Sequence, residues 1–516
     1  MADRNTQQRP ENGDEDDAML DMDEADEVIE QDEDAAMDSG DEEDQIQQEI
    51  QLQNDSVAHF DYHKDSIFCI AQHPTQPNLI ATGGGDDMAY LWDSTPPEKP
   101  LLPRSYESDP GHPQERKGQE VLAKLEGQDE SVNAIAFTLP NGDFVVTGTL
   151  AGRLGAYSIA EGTLGKEIAS AKEVEEINWI APCPNTAYPN TIAFGAGDGS
   201  VWIYTVDPSD PSSPLTIVQT FFLHQTPCTA GAWTPDGKLL ATVAEDGSFY
   251  VWDAFGDAAA VGITNPQGGS QAVVGLTAED ERFRVDGGLY SIAISPGGGI
   301  AAVGGAEGQI RVVGLPRLGA AAGAKGGGAR SKAGGGKQAL APSAASAGQA
   351  GQILASLQVQ SDGVETLDFS QPPLTLLAAG SVDGSIALFD AGHNFALRRH
   401  IKNAHGEGLQ PQVGPESEAQ EAQEPTQDEA VIQVSFVKTP LGTTNPQGYV
   451  LTSCGNDGVV KRWDVRGSAA GTQGLIGEWK GHRGGGEGGG VLGFVQRGGR
   501  VVTAGDDGVG LVFEME

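Results

Sequence analysis

LLATVAEDGSFYVWD, residues 239–253, consists of two β-prone runs on either side of the turn Asp246-Gly247. The second run ends in the pair Trp252-Asp253. Two short apolar runs separated by an Asp-Gly pair are typical of a β-hairpin, because this pair adopts the tight turns that join antiparallel strands. The stretch therefore predicts two antiparallel strands joined by a short turn.

The same pattern occurs seven more times along the chain. The copies are LIATGGGDDMAYLWD (79–93), FVVTGTLAGRLGAY (144–157), TIAFGAGDGSVWIY (191–204), IAAVGGAEGQIRVV (300–313), LLAAGSVDGSIALFD (376–390), YVLTSCGNDGVVKRWD (449–464) and RVVTAGDDGVGLVFE (500–514). An alternating apolar run such as SVNAIAF or CTAGAW precedes each hairpin. Fragments such as VLAKLEG, IVQTFFLH and LIGEWKGH supply an outer strand. Each unit thus contains four strands, which is the blade of a β-propeller.

The repeats predict an all-β WD40 propeller with eight blades. The shorter spacings between successive turns are close to the WD40 period of about 40–45 residues. Seven blades is the alternative, because the copy within 123–157 has Ala151-Gly152 in place of Asp-Gly. The last copy lacks a fourth strand, and residues 50–60 are the expected donor, which would close the ring and leave no open sheet edge. His63 and His482 match the family's hydrogen-bonded brace, and most other copies are interpreted as lacking the His.

The charge of the chain restricts its partners. The 516 residues contain 31 Lys and Arg against 74 Asp and Glu, a net charge of −43. Nucleic acid and anionic membranes are polyanions, so the composition argues against both and favours a basic protein partner. Residues 1–48 are predicted to be a disordered acidic tail and residues 49–516 the propeller. Flexible insertions are expected at about 94–119, 316–352 and 404–429, from their Pro, Gly, Ala or charge-rich composition.

The sequence contains no pattern typical of an enzyme. Its nine His and four Cys have no metal-ligand spacing, and GGGKQ in the Gly-rich insertion lacks the features of a phosphate-binding loop. We therefore expect a binding protein without cofactor or metal. The absence of a signal-peptide pattern and of a long apolar run predicts a cytoplasmic protein, with the nucleus as a further location. We also expect a monomer.

Acidic residues concentrate at the positions that should surround the channel mouth. When the copies are aligned on one residue of each inner strand, such as Phe137 and Trp179, the residues seven positions earlier are Asp65, Glu130, Lys172, Thr226, Gly287, Asp362, Glu429 and Glu487. Five of these eight residues are acidic. Further acids lie at the strand starts and immediately before the turn residue: Glu175, Glu176, Glu365, Asp86, Glu245 and Asp506. Phe68 and Tyr290 are candidate aromatic contacts that could stack on Arg. Together these residues predict a concave negative surface that attracts a Lys/Arg-rich segment.

Several stretches resemble one particular group of WD40 proteins. They are HFDYHKDSIFCIAQHP, LIATGGGDDMAYLWD, EVEEINWIAPCP and TIAFGAGDGSVWIY, following an acidic N-terminal tail. The group contains a fungal ribosome-assembly propeller, the dedicated chaperone of one basic large-subunit ribosomal protein, and its animal relative, angio-associated migratory cell protein. The resemblance covers essentially the whole propeller.

The resemblance implies a function as well as a fold. The chain would bind the basic N-terminal segment of a newly made ribosomal protein of the L-ten or L-sixteen type and release it during cytoplasmic assembly of the pre-60S particle. Two alternatives stay open: a general scaffold in signalling or cell migration, and a histone-binding propeller. A scaffold would have several partners whose charge matters little, whereas a histone binder should have a long N-terminal helix. Residues 1–57 are too acidic to supply that helix easily.

Overall fold

Thirty-two strands in eight separate sheets make up the propeller. The structure is a computed structural model that describes residues 54–97, 118–263, 272–318, 349–406, 429–438, 446–466, 474–483, 489–497 and 499–515. Each sheet has four antiparallel strands. The predicted tail, residues 1–48, and most of the three predicted insertions lie outside the described residues.

The strands are numbered along the chain. Blade 8 begins with β1 (Ala58–Phe60). Blade 1 contains β2 (Ile67–Gln72), β3 (Leu79–Gly84), β4 (Ala89–Asp93) and β5 (Val121–Lys124). Blade 2 contains β6 (Val132–Phe137), β7 (Phe144–Thr149), β8 (Arg153–Ser158) and β9 (Glu167–Lys172). Blade 3 contains β10 (Ile177–Pro182), β11 (Thr191–Ala196), β12 (Val201–Val206) and β13 (Leu215–Phe221). Blade 4 contains β14 (Cys228–Trp233), β15 (Leu239–Ala244), β16 (Phe249–Asp253) and β17 (Ala272–Leu276).

The second half of the chain repeats the arrangement. Blade 5 contains β18 (Leu289–Ile294), β19 (Ile300–Gly305), β20 (Gln309–Gly314) and β21 (Ile353–Gln358). Blade 6 contains β22 (Val364–Phe369), β23 (Leu376–Ser381), β24 (Ile386–Asp390) and β25 (Ala396–Ile401). Blade 7 contains β26 (Val431–Phe436), β27 (Val450–Gly455), β28 (Val460–Asp464) and β29 (Leu475–Trp479). Blade 8 ends with β30 (Val491–Arg497), β31 (Arg500–Gly505) and β32 (Gly510–Glu514). Helical segments are short: α1 (Asp257–Ala260) and the 3-10 turns Ala306–Gly308, Ala391–His393 and Pro446–Tyr449.

The inner strands form a closed ring. The first strand of every complete blade and β30 of blade 8 each contact the inner strands of both neighbours, including β30 with β2. β1 pairs with β32 through Ala58 and Val512, His59 and Leu511, and Phe60 and Gly510. The predicted closure is therefore confirmed, although only three residues of the expected donor 50–60 are in the strand. Eight blades are confirmed as well, because the copy with Ala151-Gly152 forms the complete blade 2.

Small residues and stacked rings hold the blades against each other. A methyl group added at Gly83 would lie 2.5 Å from Val132 of the next blade, and one at Gly380 would lie 2.8 Å from Val431. These glycines therefore let neighbouring sheets approach closely, which accounts for part of the high glycine content. Phe60 stacks on Trp92, with ring centroids 4.7 Å apart. Burial of each such side chain stabilises the fold by about 1.5–3 kcal/mol.

Candidate protein-binding site at the channel mouth

One backbone hydrogen bond recurs in all eight blades and defines equivalent positions. The N–H at the start of the turn between the second and third strands donates to the carbonyl of the residue just before the inner strand. We call these carbonyl residues the strand-start residues. They are Ser66, Ser131, Glu176, Pro227, Gly288, Gly363, Ala430 and Gly490. Their N–H donors are Gly85, Leu150, Gly197, Glu245, Ala306, Val382, Asn456 and Asp506. Each inner-strand start and its turn therefore lie at the same end of the blade, which is the end that we call the mouth.

The residue before each strand-start residue is acidic in five blades. These eight residues, the mouth positions, are Asp65, Glu130, Glu175, Thr226, Gly287, Asp362, Glu429 and Gly489. The sequence alignment is wrong in blade 3, where it put Lys172 at the position that Glu175 occupies. It is also wrong in blade 8, where Gly489 takes the place given to Glu487, which itself lies outside the described residues. Five acids of eight is thus the correct count, with Glu175 in place of Glu487.

A β-bulge turns one further side chain per blade out of the regular register. In all eight blades the pairing between the inner and second strands shifts at the second residue of the inner strand. Bulges commonly redirect a side chain next to a functional site. The bulged residues are Phe68, Asn133, Asn178, Thr229, Tyr290, Glu365, Ile432 and Leu492. Phe68, Tyr290 and Glu365, which were predicted separately, therefore occupy one equivalent position.

Asp86 has a different role from the one predicted. Its carboxylate accepts from His63 Nδ1 at 2.9 Å and from the Lys64 N–H at 3.0 Å. Asp246 accepts from the Gln225 N–H in the same way, so Asp86 corresponds to Asp246 and not to Glu245. The physical reason for the error is Asp87, which has φ +58° where the other copies have a left-handed glycine. Asp86 therefore braces the turn and does not belong to the mouth acids.

Asp506 joins two blades. Its side chain accepts from the Ser66 hydroxyl at 2.5 Å, and the same hydroxyl lies 3.0 Å from the Asp506 carbonyl oxygen. Glu245 at the equivalent position is exposed, and its backbone packs against Gly288 of the next blade. Glu176 is also exposed, and its carboxylate lies over Gly197 of its own turn. All three acids thus lie at the mouth.

Two aromatic rings at the mouth have carboxylates beside them. A methyl group at Gly85 would lie 3.2 Å from both Asp65 Oδ2 and the Phe68 ring, so this carboxylate and this ring cover the same turn. The pKa of Tyr290 is raised by burial and, beyond that, by the negative charges of Glu245 and Glu365. An aromatic face next to a carboxylate suits the guanidinium of Arg, which can stack and pair at once.

The surroundings of Glu365 disfavour the charged form of its carboxylate. Burial raises the pKa of Glu365, and the charge of Asp362 raises it further. A raised pKa shows that the folded protein disfavours the charged form of this carboxylate. A cation near Asp362 and Glu365 would favour the charged form of Glu365 and so act against both effects.

Most of the mouth acids have no basic partner. Among the described residues, no Lys, Arg or His lies within ion-pair distance of a set of seven. The set is Asp65, Glu130, Glu175, Glu176, Glu245, Asp362 and Glu365. Lys172, the nearest basic side chain in the sequence alignment, pairs with Asp129 at 3.1 Å. The described part of the mouth therefore contains several carboxylates whose charge no basic side chain of this chain neutralises by an ion pair.

Four blades have a histidine brace, and the sequence analysis found only two. His63 and His482 bond to Asp86 and Asp507, as predicted. His224 bonds to Ser248 and Thr242, and His405 bonds to Asp457 and Ser453. His405 was assigned to the insertion 404–429, although its side chain is buried in blade 7.

Other kinds of site are not evident in the described part of the chain. There, no group of three or more His, Cys, Asp or Glu side chains could hold a metal ion. The longest helices among the described residues are too short to cross a membrane. The four cysteines are free thiols, and burial raises the pKa of all four.

Comparison with known proteins agrees with this architecture. The WD domain, G-beta repeat family matches residues 54–93 and 215–253. The crystal structure of Chaetomium thermophilum Sqt1 bound to the N-terminus of the ribosomal protein L10 is 47% identical in sequence, with a TM-score of 0.71. That match covers 90% of this chain and 100% of the Chaetomium chain. This chain belongs to the Sqt1 family.

Two further relatives match over shorter stretches. The ribosome assembly protein SQT1 of Saccharomyces cerevisiae is 35% identical over 213 residues, which is 40% of this chain and 43% of the yeast protein. Human angio-associated migratory cell protein is 26% identical over 200 residues, or 39% of this chain and 38% of the human protein. Both alignments therefore span less than half of the relative. The predicted resemblance to the group that contains these proteins is confirmed.

Proposed function

We propose that this chain is a dedicated chaperone for the L10-type protein of the large ribosomal subunit. It binds the basic N-terminal segment of the newly made protein at the mouth and supports its assembly into the subunit. The observation that carries the proposal is the set of seven mouth acids without a basic partner. Membership of the Sqt1 family supports the identity of the client, because the Chaetomium relative is bound to the N-terminus of L10.

The physical need for such a protein follows from the client's charge. A ribosomal protein that has not met rRNA carries excess positive charge and associates with any polyanion. Carboxylates inside a concave, low-dielectric mouth focus their field and raise the rate of capture of a basic segment. The carboxylates replace the rRNA phosphates until delivery, and Phe68 and Tyr290 add stacking surfaces for Arg.

The same features support a protein that acts by binding alone. The yeast relative is a ribosome assembly protein, and the mouth brings together carboxylates and aromatic rings, which suit the binding of a basic segment. We place this activity in the cytoplasm, where ribosomal proteins are made, and expect a monomer that binds one client. The acidic side chains of residues 1–48 would add a second, weaker electrostatic contact with the client.

A binding measurement with matched variants tests the proposal. The probe is a peptide of the N-terminal segment of the L10-type protein from the same source, titrated against the full chain by calorimetry at low and high salt. Glu130→Gln, Glu245→Gln and Glu365→Gln combined should weaken binding at least about tenfold, which corresponds to about 1.4 kcal/mol. High salt should weaken the wild type in the same direction.

The control variant is Glu161→Gln, an exposed acid in the turn between β8 and β9, away from the mouth. It should bind the peptide as the wild type does. Equal binding by the triple variant and the wild type would contradict the proposal. Affinity purification from cytosol gives a second measurement, in which one L10-type protein should dominate. Many partners that survive high salt would instead favour a general scaffold.

A further inference from the structure

A second surface lies on the outside of blade 3, away from the mouth acids. β13, the outer strand of this blade, pairs with β12 on one side only. Its sequence LTIVQTF has no charged residue, and Ile217 and Val218 are exposed. Phe222 and Leu223 follow it directly, and Phe222 is 65% exposed. An exposed, uncharged edge strand offers unpaired backbone groups to another extended segment.

The other described outer strands are protected against such pairing. Three of them expose a large apolar residue but carry a charged neighbour: Leu122 with Lys124 on β5, Leu397 with Arg398 on β25, and Ile476 with Glu478 on β29. β9 carries Glu167 and Lys172, β17 is largely buried, and β21 exposes no large apolar side chain. β13 alone among them combines an uncharged sequence with exposed aliphatic side chains.

A cavity of about 440 Å³ lies beside β13, in the wedge between blades 3 and 4. Val218 and Gln219 line it from β13, and Tyr188, Phe255 and Asp253 line it from the loops. Tyr188 and Phe255 stack in parallel with ring centroids 3.7 Å apart. Tyr188 is exposed, so a planar group can still lie on its outer face.

Asp253 indicates what kind of group this cavity could bind. Its residue is 8% exposed, so more than nine-tenths of it is buried. Oδ2 accepts from the Ala259 N–H at 2.9 Å, whereas the buried Oδ1 accepts no hydrogen bond from the described residues. A buried carboxylate oxygen without a donor costs free energy, and a cationic donor would remove that cost. The outer face of Tyr188 favours the guanidinium of Arg as this donor.

The strand leads from the mouth to the cavity. Phe221 at the end of β13 pairs with Val201, next to the mouth-side turn of blade 3, so Phe222 and Leu223 lie at the rim of the mouth end. Ile217 pairs with Tyr204 farther down, and Val218 there lines the cavity. A segment that leaves the mouth over this rim and runs antiparallel to β13 would reach Asp253 within about four residues, at about 3.3 Å per residue.

We propose that the wedge between blades 3 and 4 binds an extended, mostly uncharged segment of the client as an added strand on β13, with one Arg of that segment at Asp253. The proposal rests on the proposed function, which supplies the client and its exit over the rim. Main-chain hydrogen bonds to β13 provide the affinity, and the Asp253 cavity provides the specificity, as in other cases of strand addition.

Hydrogen exchange with two probes tests this second site. The probes are the complete L10-type protein and its N-terminal peptide, each mixed with the full chain. The complete client should slow exchange of the β13 backbone amides at least tenfold, whereas the peptide should leave them unchanged. Protection of β13 without any client that grows with protein concentration would overturn the proposal in favour of a second copy of this chain.

Two variants and a control separate this site from the mouth. Ile217→Lys puts a charge on the edge, and Asp253→Asn removes the carboxylate charge with little change of shape. Each should weaken binding of the complete client at least fivefold and leave binding of the N-terminal peptide unchanged. Leu397→Lys on β25 is the matched control, which should bind both probes as the wild type does.

The failures of the two proposals differ in this experiment. If the peptide binds but both variants bind the complete client as tightly as the wild type, and β13 is not protected, the second site is overturned. If the peptide fails to bind, the proposed function fails. Protection of β13 by the complete client, and its loss in Ile217→Lys, would still support the second site in that case.

Discussion

The carboxylates at the mouth and those in the histidine brace have different partners. Asp457 in the brace bonds to His405 and pairs with the buried Lys461. Glu365 at the mouth has the carboxylate of Asp362 and the ring of Tyr290 near it and, among the described residues, no basic partner. The pKa of Asp457 is accordingly lowered to about 2, whereas the pKa of Glu365 is raised. The carboxylates of the brace therefore stabilise the fold, whereas those of the mouth favour the binding of a cation.

The largest expected effect concerns the brace. Asp457→Asn leaves the ammonium of Lys461 buried without its carboxylate, so we expect a loss of at least about 3 kcal/mol in the free energy of unfolding. Urea unfolding followed by tryptophan fluorescence measures it. At a temperature where the variant is folded, its affinity for the client peptide should equal that of the wild type. A loss of peptide binding by folded Asp457→Asn would show that a brace acid also takes part in binding, contrary to the distinction between brace and mouth acids.

The second largest effect is a loss of stability at acid pH, caused by His224 in the brace of blade 4. The pKa of His224 is lowered to about 4 by burial, against 6.5 when exposed. Because the unfolded chain binds this proton first, stability falls as the pH drops from about 6.5 to 4, by about 3 kcal/mol in total. Gln360 occupies the same place in blade 6 and bonds to the Ser385 carbonyl, so His224→Gln should keep a brace and remove this pH dependence. The free energies of unfolding of both proteins are measured at pH 7 and pH 4.5. An equal loss of stability in the wild type and His224→Gln would exclude His224 as the cause.

At the mouth, loss of a carboxylate's charge should raise stability, whereas in the brace it lowers stability. Glu365→Gln removes a charge that the fold disfavours, so the melting temperature should rise slightly while affinity for the client peptide falls severalfold. The wild type should gain stability from this group as the pH falls through its raised pKa, and the variant should not. Thermal melts and peptide titrations on one preparation measure both quantities. A fall in melting temperature would place Glu365 with the brace acids.

The smallest effect concerns stacking. Tyr290→Leu keeps an apolar side chain but removes the aromatic face, which costs about 0.5–1 kcal/mol of binding at an exposed cation site. A two- to fivefold weaker affinity for the client peptide is expected in calorimetry. Tyr290→Phe retains the ring and should bind nearly as the wild type does. Equal losses in both variants would indicate that the hydroxyl matters and the ring does not.

The repeated hairpins made the fold predictable from sequence, whereas the register within a blade was harder to predict. Strand pairing follows local alternation, which each copy carries in full. EVEEINW was aligned three residues out of place because Trp179 is the third residue of its inner strand, whereas Phe137, to which it was matched, is the sixth residue of β6. Asp87 in a left-handed conformation hid the correspondence between Asp86 and Asp246.

Long-range partners were the least visible in the sequence. His63 precedes Asp86 by 23 residues, but His405 precedes Asp457 by 52, because an insertion separates them. The seven mouth acids without a basic partner could be predicted as a charged surface, since four of them recur at an equivalent position. Asp253 could not, because its burial depends on α1 folding back over the end of β16, and Trp252-Asp253 is like any other copy of that pair.

The pairing of β1 with β32 also governs when the binding surface comes into existence. Ser66 near the start of the propeller holds Asp506 near its end, 440 residues away. A chain still under synthesis that has not yet emerged as far as residue 514 can neither close the ring nor bring the mouth acids of blades 8 and 1 together. We therefore expect an unfinished chain to lack the complete mouth, so that the proposed binding of the client requires the fully translated propeller.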